Sequence, residues 1–237
     1  MPKVVEVLNF DDFYSTNIYV LEQFLGITHT FSTYFSSNKK KMTLVFATNN
    51  PHKVAEVNDV LRGADLNGIE VVTMKTIGHT TDLPETHETI LENALEKAEF
   101  LHLHYNVSCF SEDTGLEIDF LKGEPGVHTA HYSGSRNPDD NIEKVLTLMG
   151  DTPHRTAIFR TIIALILRGG EKHIFEGICE GTIRFEPAGE GGFGYDPIFE
   201  PLGYDKTFAE LPMSVKSEIS HRGRATVKLL DFLRKNI

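Results

Sequence analysis

Two adjacent carboxylates, Glu112 and Asp113, follow a β-prone run of the sequence and are followed by Thr114 and Gly115. This pattern predicts a strand, a sharp turn and a second strand, because glycine supplies the backbone freedom of a tight turn. Since a buried carboxylate must be paired or bound to a metal, two acids between apolar runs indicate a site at the edge of a sheet. There they could hold a hard cation such as Mg²⁺ and activate a water molecule. A turn with two exposed acids is the alternative.

A polar loop between the first predicted strand, residues 43–47, and the helix after it is a second candidate. Small polar residues before a helix suit phosphate, because the free N–H groups and the dipole of the helix point toward them. Ordinary capping by Asn50, with Pro51 at the first helical position, is a compatible explanation. The loop consists of Thr48, Asn49, Asn50, Pro51, His52 and Lys53.

A long helix is predicted from about Thr89 to His102. Asn93 and Lys97 are four residues apart, so they share one polar face of this helix. If that face looks toward Asp113, Lys97 can contact phosphate. A solvated lysine that pairs with neighbouring glutamates is the alternative.

Two stretches near the C-terminus could recognise a planar ring. Phe193 lies in a stretch with four glycines, residues 189–194, so its ring face is free to stack on a base; a ring that plugs the core is the alternative. His221 and Arg222 stand at the start of the last predicted helix, where they can donate hydrogen bonds to a carbonyl oxygen. A helix cap at Ser220 followed by two solvated side chains is the alternative.

The elements that must position these residues alternate between strands and helices. Strands are predicted at 69–74, 156–167 and 173–185, the last two as a long hairpin through the turn at 168–171. Asn137 and Pro138 have the form of a helix start, and Gly150 is expected to end that helix.

The composition limits the class of protein. A formal net charge of −11 argues against a nucleic-acid scaffold, because such a protein presents a basic face. Cys109 and Cys179 lie in apolar runs and are expected to be reduced, which fits the cytoplasm. No apolar run approaches the ~20 residues of a membrane span, so no membrane partner is expected.

Residues 1–41 differ from the rest of the chain, because they carry eight aromatic residues and no clear helical or strand period. We expect an N-terminal extension at 1–41 and one domain at 42–237. Met42 stands just before the first predicted strand, so the hypothesis is that it is the natural start. A segment that binds a partner is the alternative.

Six motifs, in order over about 43–237, resemble the inosine triphosphate pyrophosphatase family. Each motif is weak alone, but the set is specific because chance matches in a fixed order multiply. The motifs are residues 48–53, residues 92–94 with Lys97, residues 112–116, residues 123–126, residues 191–197, and Lys216 with residues 220–222.

The resemblance implies an α/β fold with a long mixed β-sheet, flanking helices in two lobes and an active cleft between them, in a homodimer. It implies Mg²⁺-dependent hydrolysis of the non-standard purine triphosphates ITP, dITP and XTP to the monophosphate and pyrophosphate. Donors such as His221 and Arg222 suit the 6-oxo group of these purines, whereas adenine would present a donor to a donor.

The resemblance also implies a role for each candidate residue. Asp113 would be the base and a metal contact, Lys97 the second catalytic residue, and Glu85 and Glu112 further metal carboxylates. Loop 48–53, Lys97 and Thr114 would hold the phosphates. The residues implied for the purine are Phe193 as the stacking ring, Gly194, Tyr195 and Asp196 as pocket walls, and Lys216, His221 and Arg222 at the base edge.

The sequence departs from the family pattern at three places, and two alternatives stay open. Glu112 stands where many relatives have Asp, His87 falls near Glu85 where a Gly is frequent, and the run 128–132 replaces a more usual run with Ser and Arg, so His131 receives no role. The first alternative is a metal-dependent pyrophosphatase of other base specificity. The second is a catalytically weak nucleotide-binding regulator with residues 1–41 as its partner-binding arm.

Overall fold

The computed structural model describes residues 42–62, 64, 66 and 68–237, so the expectations for residues 1–41 lie outside the described residues. The strands are β1 (Met42–Phe46), β2 (Ile69–Thr73), β3 (Ser108–Ile118), β4 (Pro125–Gly126), β5 (Thr156–Ile166), β6 (Lys172–Ile183) and β7 (Phe199–Pro201). The α-helices are α1 (Pro51–Leu61), α2 (Ile90–Tyr105), α3 (Pro138–Met149), α4 (Met213–Ile219) and α5 (His221–Asn236).

The strands form one mixed sheet in the order β2-β1-β3-β5-β6-β7, with β4 paired to β3. β1 runs parallel to β2 and β3, whereas the pairs β3–β4, β3–β5, β5–β6 and β6–β7 are antiparallel. The predicted α/β fold with a long mixed sheet and the predicted β5–β6 hairpin are therefore confirmed. None of the helices in the described part of the chain is long and apolar enough to cross a membrane.

Local sequence determines where three helices begin. The side chain of Asn50 accepts hydrogen bonds from the N–H groups of residues 52 and 53, and Pro51 is the first residue of α1. Thr89 accepts from the N–H of residue 92 at the start of α2, and Asn137 caps α3 in the same way. These residue types satisfy N–H groups that have no partner within the helix.

The core divides along the long strands. Over the first half of β3 and the second half of β5, which pair with each other, α2 packs on one face of the sheet, and α1 and α5 pack on the other. Over the second half of β3 and the first half of β5, α3 and the segment that contains β7 and Phe208 bury Leu116, Ile118 and Phe159. The two halves of the sheet thus carry separate lobes, and the middle of β3 passes between them.

The predicted turn after Asp113 is wrong. β3 is continuous and pairs with β5 at every residue from Cys109 to Ile118. Gly115 serves close packing, because a Cβ atom there would lie 2.7 Å from both the carbonyl oxygen of Gly126 and Cδ1 of Ile90. A glycine inside a strand commonly marks such a close approach.

Candidate active site

Continuous β3 sends its two adjacent carboxylates to opposite faces of the sheet, because successive side chains of a strand alternate. Asp113 faces α2, where Lys97 Nζ lies 2.8 Å from its Oδ1. Glu112 faces α1 and α5, where it contacts Lys53 and Arg222. The acidic pair is therefore two separate sites, each with its own cations.

Lys97 joins two carboxylates, Asp113 and Glu85, whose oxygens lie 2.8 and 2.5 Å from its Nζ. Burial lowers the pKa of Lys97, but the two carboxylates outweigh burial and raise it, so the ammonium stays charged. Burial raises the pKa of Asp113, although Lys97 opposes the shift. A carboxylate with a raised pKa is a stronger base, which suits proton abstraction from water.

The loop that carries Glu85 is fastened to α2. Asn93 accepts from the N–H of His87 at 2.9 Å and donates to its carbonyl at 3.0 Å. Thr86 donates from its N–H and its hydroxyl to the two oxygens of Glu96, each at 2.8 Å. These contacts hold Glu85 near Asp113, although its side chain is 46% exposed.

Asp113 and Glu85 are oxygen donors, which is the ligand type that Mg²⁺ prefers. No group of three or more His, Cys, Asp or Glu residues that could hold a metal occurs within the residues the structure describes. Mg²⁺ is commonly bound by one or two carboxylates, with waters and phosphate oxygens completing its shell. The donor set of this site fits that chemistry.

The polar loop before α1, residues 48–53, differs from the phosphate-binding loop with free N–H groups that its sequence predicts. The N–H groups of His52 and Lys53 are engaged by the side chain of Asn50. Lys53 Nζ lies 2.7 Å from Glu112, and the His52 ring stacks on Phe193 with centroids 5.1 Å apart. What this loop offers a ligand is therefore its side chains, Thr48 and Asn49 among them, rather than free N–H groups.

Arg222 is fully buried and held by two carboxylates. Its Nε and Nη2 donate to Glu112 at 3.0 and 3.3 Å, and its Nη1 donates to Glu56 at 2.5 Å. Nη2 also donates to the hydroxyl of Thr114 at 3.2 Å. Four of its five N–H donors are thus engaged, which fixes the plane of the guanidinium.

Glu112 differs in position from the predicted metal ligand. Its side chain is completely buried and does not line the cleft. Burial raises its pKa, but Arg222 and Lys53 outweigh burial and hold the pKa well below its ordinary value. We therefore describe Glu112 as the anchor of two cations and do not include it in the metal donor set.

The second end of the cleft combines rings with buried charges. Lys216 contacts Asp196 and lies 2.6 Å from Glu56, and its Nζ stands 5.1 Å from the centroid of the Phe193 ring. Asp196 in turn accepts from the N–H of Phe193 at 2.7 Å. The Tyr195 hydroxyl donates to the carbonyl of Thr129 at 3.0 Å, so this wall is tied to the opposite loop.

His221 stacks on Phe159, with ring centroids 4.5 Å apart and planes 14° apart. Burial is the main cause that lowers its pKa, and Arg222 adds to the shift, so the imidazole is neutral. Its Nδ1 is a buried atom without a hydrogen-bond partner among the described residues. A buried polar atom without a partner raises the free energy of the folded state until a ligand or water supplies one.

One cleft of about 680 Å³ brings these groups together. Pro51 and Glu112 are the predicted residues that do not line it. The predicted residues that do are Thr48, Asn49, Asn50, His52, Lys53, Glu85, Lys97, Asp113, Thr114, Phe193, Gly194, Tyr195, Asp196, Lys216, His221 and Arg222.

Sequence reasoning missed Glu56, Phe159 and Arg136. Glu56 lies three residues after Lys53 on α1, a spacing that reads as an ordinary surface ion pair. Phe159 reads as core in a β-branched strand. Arg136, which lines the cleft, follows a small polar run and carries no signal of its own.

Comparisons with known proteins show the family of the chain. The model of the Ham1 family matches residues 44–232. A dITP/XTP pyrophosphatase of Porphyromonas gingivalis is 50% identical over 192 residues, which are 80% of this chain and 96% of that protein. Another, of Flavobacterium johnsoniae, is 45% identical over 193 residues, or 81% and 98% of the two chains.

Solved structures give the same result. The Ham1 protein of Staphylococcus aureus has a TM-score of 0.73 at 35% identity, over 82% of this chain and 100% of that one. A nucleoside-triphosphatase, or dITP/XTP pyrophosphatase, of Mycobacterium abscessus has a TM-score of 0.66 at 39% identity, over 81% and 100%.

Proposed function

The chain belongs to the Ham1 family, and from this membership and the cleft we infer that it hydrolyses non-standard purine nucleoside triphosphates. The substrates are ITP, dITP and XTP, and the products are the monophosphate and pyrophosphate. The reaction removes these nucleotides from the pool.

The observation that carries this function is the presence of two chemically different ends in one cleft. One end holds Asp113, Lys97 and Glu85, and the other holds Phe193 beside buried donors. A nucleoside triphosphate has the matching ends, a chain of phosphates and a planar base. A cleft that binds only phosphate would have no use for the second end.

At the phosphate end, Asp113 is placed to accept a proton from the attacking water. Its raised pKa favours that transfer, and hydrolysis between the α and β phosphates then needs no covalent intermediate with the protein. Lys97 keeps its charge beside Asp113 and neutralises charge on the phosphate oxygens. Lys53 and Thr114 line the same cleft. Alignment and charge neutralisation supply most of the catalysis in such reactions.

We propose Mg²⁺ as the cofactor, with Asp113 and Glu85 as its protein ligands. When bound, Mg²⁺ polarises phosphate oxygens and offsets their charge. The support is the oxygen-only donor set at the end of the cleft that faces α2. Removal of Mg²⁺ with a chelator is expected to stop pyrophosphate release.

At the base end, selectivity against adenine follows from donors that are held in fixed positions. Arg222 is fixed by Glu56 and Glu112 and retains one free N–H, and His221 is neutral with one nitrogen unpaired. A 6-oxo purine offers an acceptor to such donors. Adenine offers an amino group instead, and a site built to bond a particular polar group rejects an analogue that lacks it strongly.

We further propose that the protein acts as a homodimer in the cytoplasm and binds neither nucleic acid nor membrane. The net charge of −11 opposes attraction to polyanions. Cys109 and Cys179 are free and buried, which suits a reducing compartment.

The test is pyrophosphate release with Mg²⁺ from ITP, XTP, dITP, ATP, GTP and dTTP. We expect release from the first three, and loss of turnover without loss of folding in Asp113→Asn, because the amide cannot accept the proton. Asp119→Asn, an exposed position just after β3, is the matched control and should keep wild-type activity. Equal release from all six would contradict the base selectivity, and nucleotide binding without release would favour a regulator.

A further inference from the structure

The cations of the cleft are almost all paired before any substrate arrives. Five Lys and Arg side chains line it. Lys53 is paired with Glu112, Lys97 with Asp113 and Glu85, Lys216 with Asp196 and Glu56, and Arg222 with Glu56 and Glu112. These four cations face five carboxylates, so together they leave one negative charge.

A triphosphate adds several more negative charges to this end of the cleft, more than one Mg²⁺ ion offsets, so a cation without a carboxylate partner would favour its binding. Arg136 is the fifth cleft-lining cation, and it makes no ion pair or hydrogen bond within the described residues. It is exposed on the wall of the cleft, between the short helical turn at Thr129–His131 and α3. Its guanidinium is therefore free to bind an anion.

The loop around Arg136 is rigidly fastened although the side chain is free. The N–H of Ser133 donates to Asn141 at 2.7 Å, and the hydroxyl of Ser135 donates to Asp140 at 2.7 Å. The N–H of Asn137 donates back to the hydroxyl of Ser135 at 3.1 Å. A cation on such a frame is held at the cleft with little loss of backbone freedom when it binds.

The position of Arg136 indicates which part of the substrate it would meet. His128, in the same loop as Arg136, lies with its Nε2 3.7 Å from a carboxylate oxygen of Glu88, so the loop that carries Arg136 meets the loop that carries Glu85, and both line the cleft. Phe193 and the base-edge residues stand at the other end. A nucleotide whose base lies on Phe193 and whose scissile bond lies at Asp113 would extend its terminal phosphates toward Arg136.

We propose that Arg136 forms a subsite for the β and γ phosphates, the part of the substrate that leaves as pyrophosphate. This proposal rests on the proposed function of the same cleft. Arginine suits the role because its planar fork binds phosphate through two parallel hydrogen bonds. Arg136 binds and orients the leaving group here and takes no part in proton transfer.

The test is calorimetric binding of inorganic tripolyphosphate and of IMP with Mg²⁺ present, together with the KM for ITP. We expect Arg136→Ala to weaken tripolyphosphate binding and to raise the KM about tenfold, the low end for a charge-assisted contact because Arg136 is exposed. IMP lacks both terminal phosphates, so its binding should change less than about twofold. Arg136→Lys should recover part of the loss, because it keeps the charge but not the fork.

Arg62→Ala is the matched control, since Arg62 is an exposed arginine paired with Asp59 and does not line the cleft. Unchanged tripolyphosphate binding in Arg136→Ala, or an equal loss for IMP, would overturn the subsite. Absence of tripolyphosphate binding to the wild type would overturn it as well. Wild-type protein that binds tripolyphosphate through Arg136 but hydrolyses no nucleotide would instead refute the proposed function and leave the subsite standing.

Discussion

Replacing Glu112 by glutamine separates two roles for this residue, a metal ligand and an anchor for buried cations. The sequence favours the first, because Glu112 is adjacent to Asp113. The geometry favours the second, because the carboxylate faces Lys53 and Arg222 and is shielded from the cleft. Glutamine keeps the size and one acceptor oxygen but removes the charge and turns a donor toward a cation.

The expected cost follows from the contacts of the carboxylate. Its oxygens accept from Lys53 at 2.7 Å, from Arg222 at 3.0 and 3.3 Å, and from Thr114 at 3.1 Å. Removing one partner of a buried ion pair costs ~3–5 kcal/mol of unfolding free energy, because the other charge stays buried. Arg222 keeps Glu56, so we expect about 3 kcal/mol, which corresponds to a fall in Tm of roughly 6–12 °C for a domain of this size.

The same argument fixes the pH dependence. The pKa of Glu112 is lower in the folded protein than its ordinary value of 4.5. A carboxylate of this kind contributes stability that is fully present above its unfolded pKa and is lost as the pH falls toward its folded pKa. The stability difference between wild type and variant should therefore be complete at pH 7 and shrink by ~1.4 kcal/mol per pH unit below the unfolded pKa.

Urea unfolding and a Mg²⁺ titration of pyrophosphate release together provide the assay. Glu117→Gln is the matched control, since Glu117 lies on the same strand and pairs with Arg160 at 2.7 Å, but is 28% exposed. It should cost less than about 1 kcal/mol. A Glu112→Gln protein with wild-type stability and a tenfold higher Mg²⁺ requirement would refute the anchor role and restore Glu112 to the metal site.

Three further substitutions test the base end of the cleft and the packing of the fold around it. In Gly177→Ala, the new Cβ would lie 2.0 Å from the carbonyl oxygen of His221, so α5 must shift. We expect the free energy of unfolding, measured in urea, to fall by ~1–3 kcal/mol and the KM for ITP to rise. Gly169→Ala is the control, because a Cβ there has open space, and it should change the free energy of unfolding by less than ~0.5 kcal/mol. Phe193→Ala should raise the KM for ITP about tenfold through lost stacking and leave inhibition by tripolyphosphate unchanged; equal effects on both would contradict the stacking role. Arg155→Ala removes a guanidinium that donates to four backbone carbonyls. The free energy of unfolding should fall by ~2 kcal/mol, which lowers Tm by several degrees. ITP kinetics should not change, because Arg155 is outside the cleft.

Features decided by neighbouring residues could be predicted from the sequence. Asn50 with Pro51 and Asn137 with Pro138 begin helices where their types require it. The β5–β6 hairpin follows from two β-branched runs around a glycine turn. Each of these patterns involves residues that are close together in the sequence, so it can be interpreted without knowledge of the tertiary fold.

Features decided by distant residues could not be predicted. Gly115 resembles a turn residue because its packing partners, Gly126 and Ile90, are not evident from the local sequence. Glu56 resembles a surface residue of a helix until α4 and α5 bring Lys216 and Arg222 against it, more than 150 residues later in the chain. The prediction of a turn at Gly115 also leaves out the alternation of a continuous strand, which places Glu112 and Asp113 on opposite faces of the sheet.

Different buried charged residues serve base recognition and phosphate hydrolysis in the cleft. All nucleoside triphosphates share the same phosphates, so the groups around Asp113 cannot distinguish one base from another. Discrimination needs donors that stay in place when the wrong base arrives, and Glu56 and Glu112 provide that rigidity by holding Arg222. Glu112 also holds Lys53 on α1, so one carboxylate fixes a cation of each end. A change at Glu112 should therefore reduce base selectivity and raise the KM for ITP together, whereas a change at Arg136 should affect the KM alone.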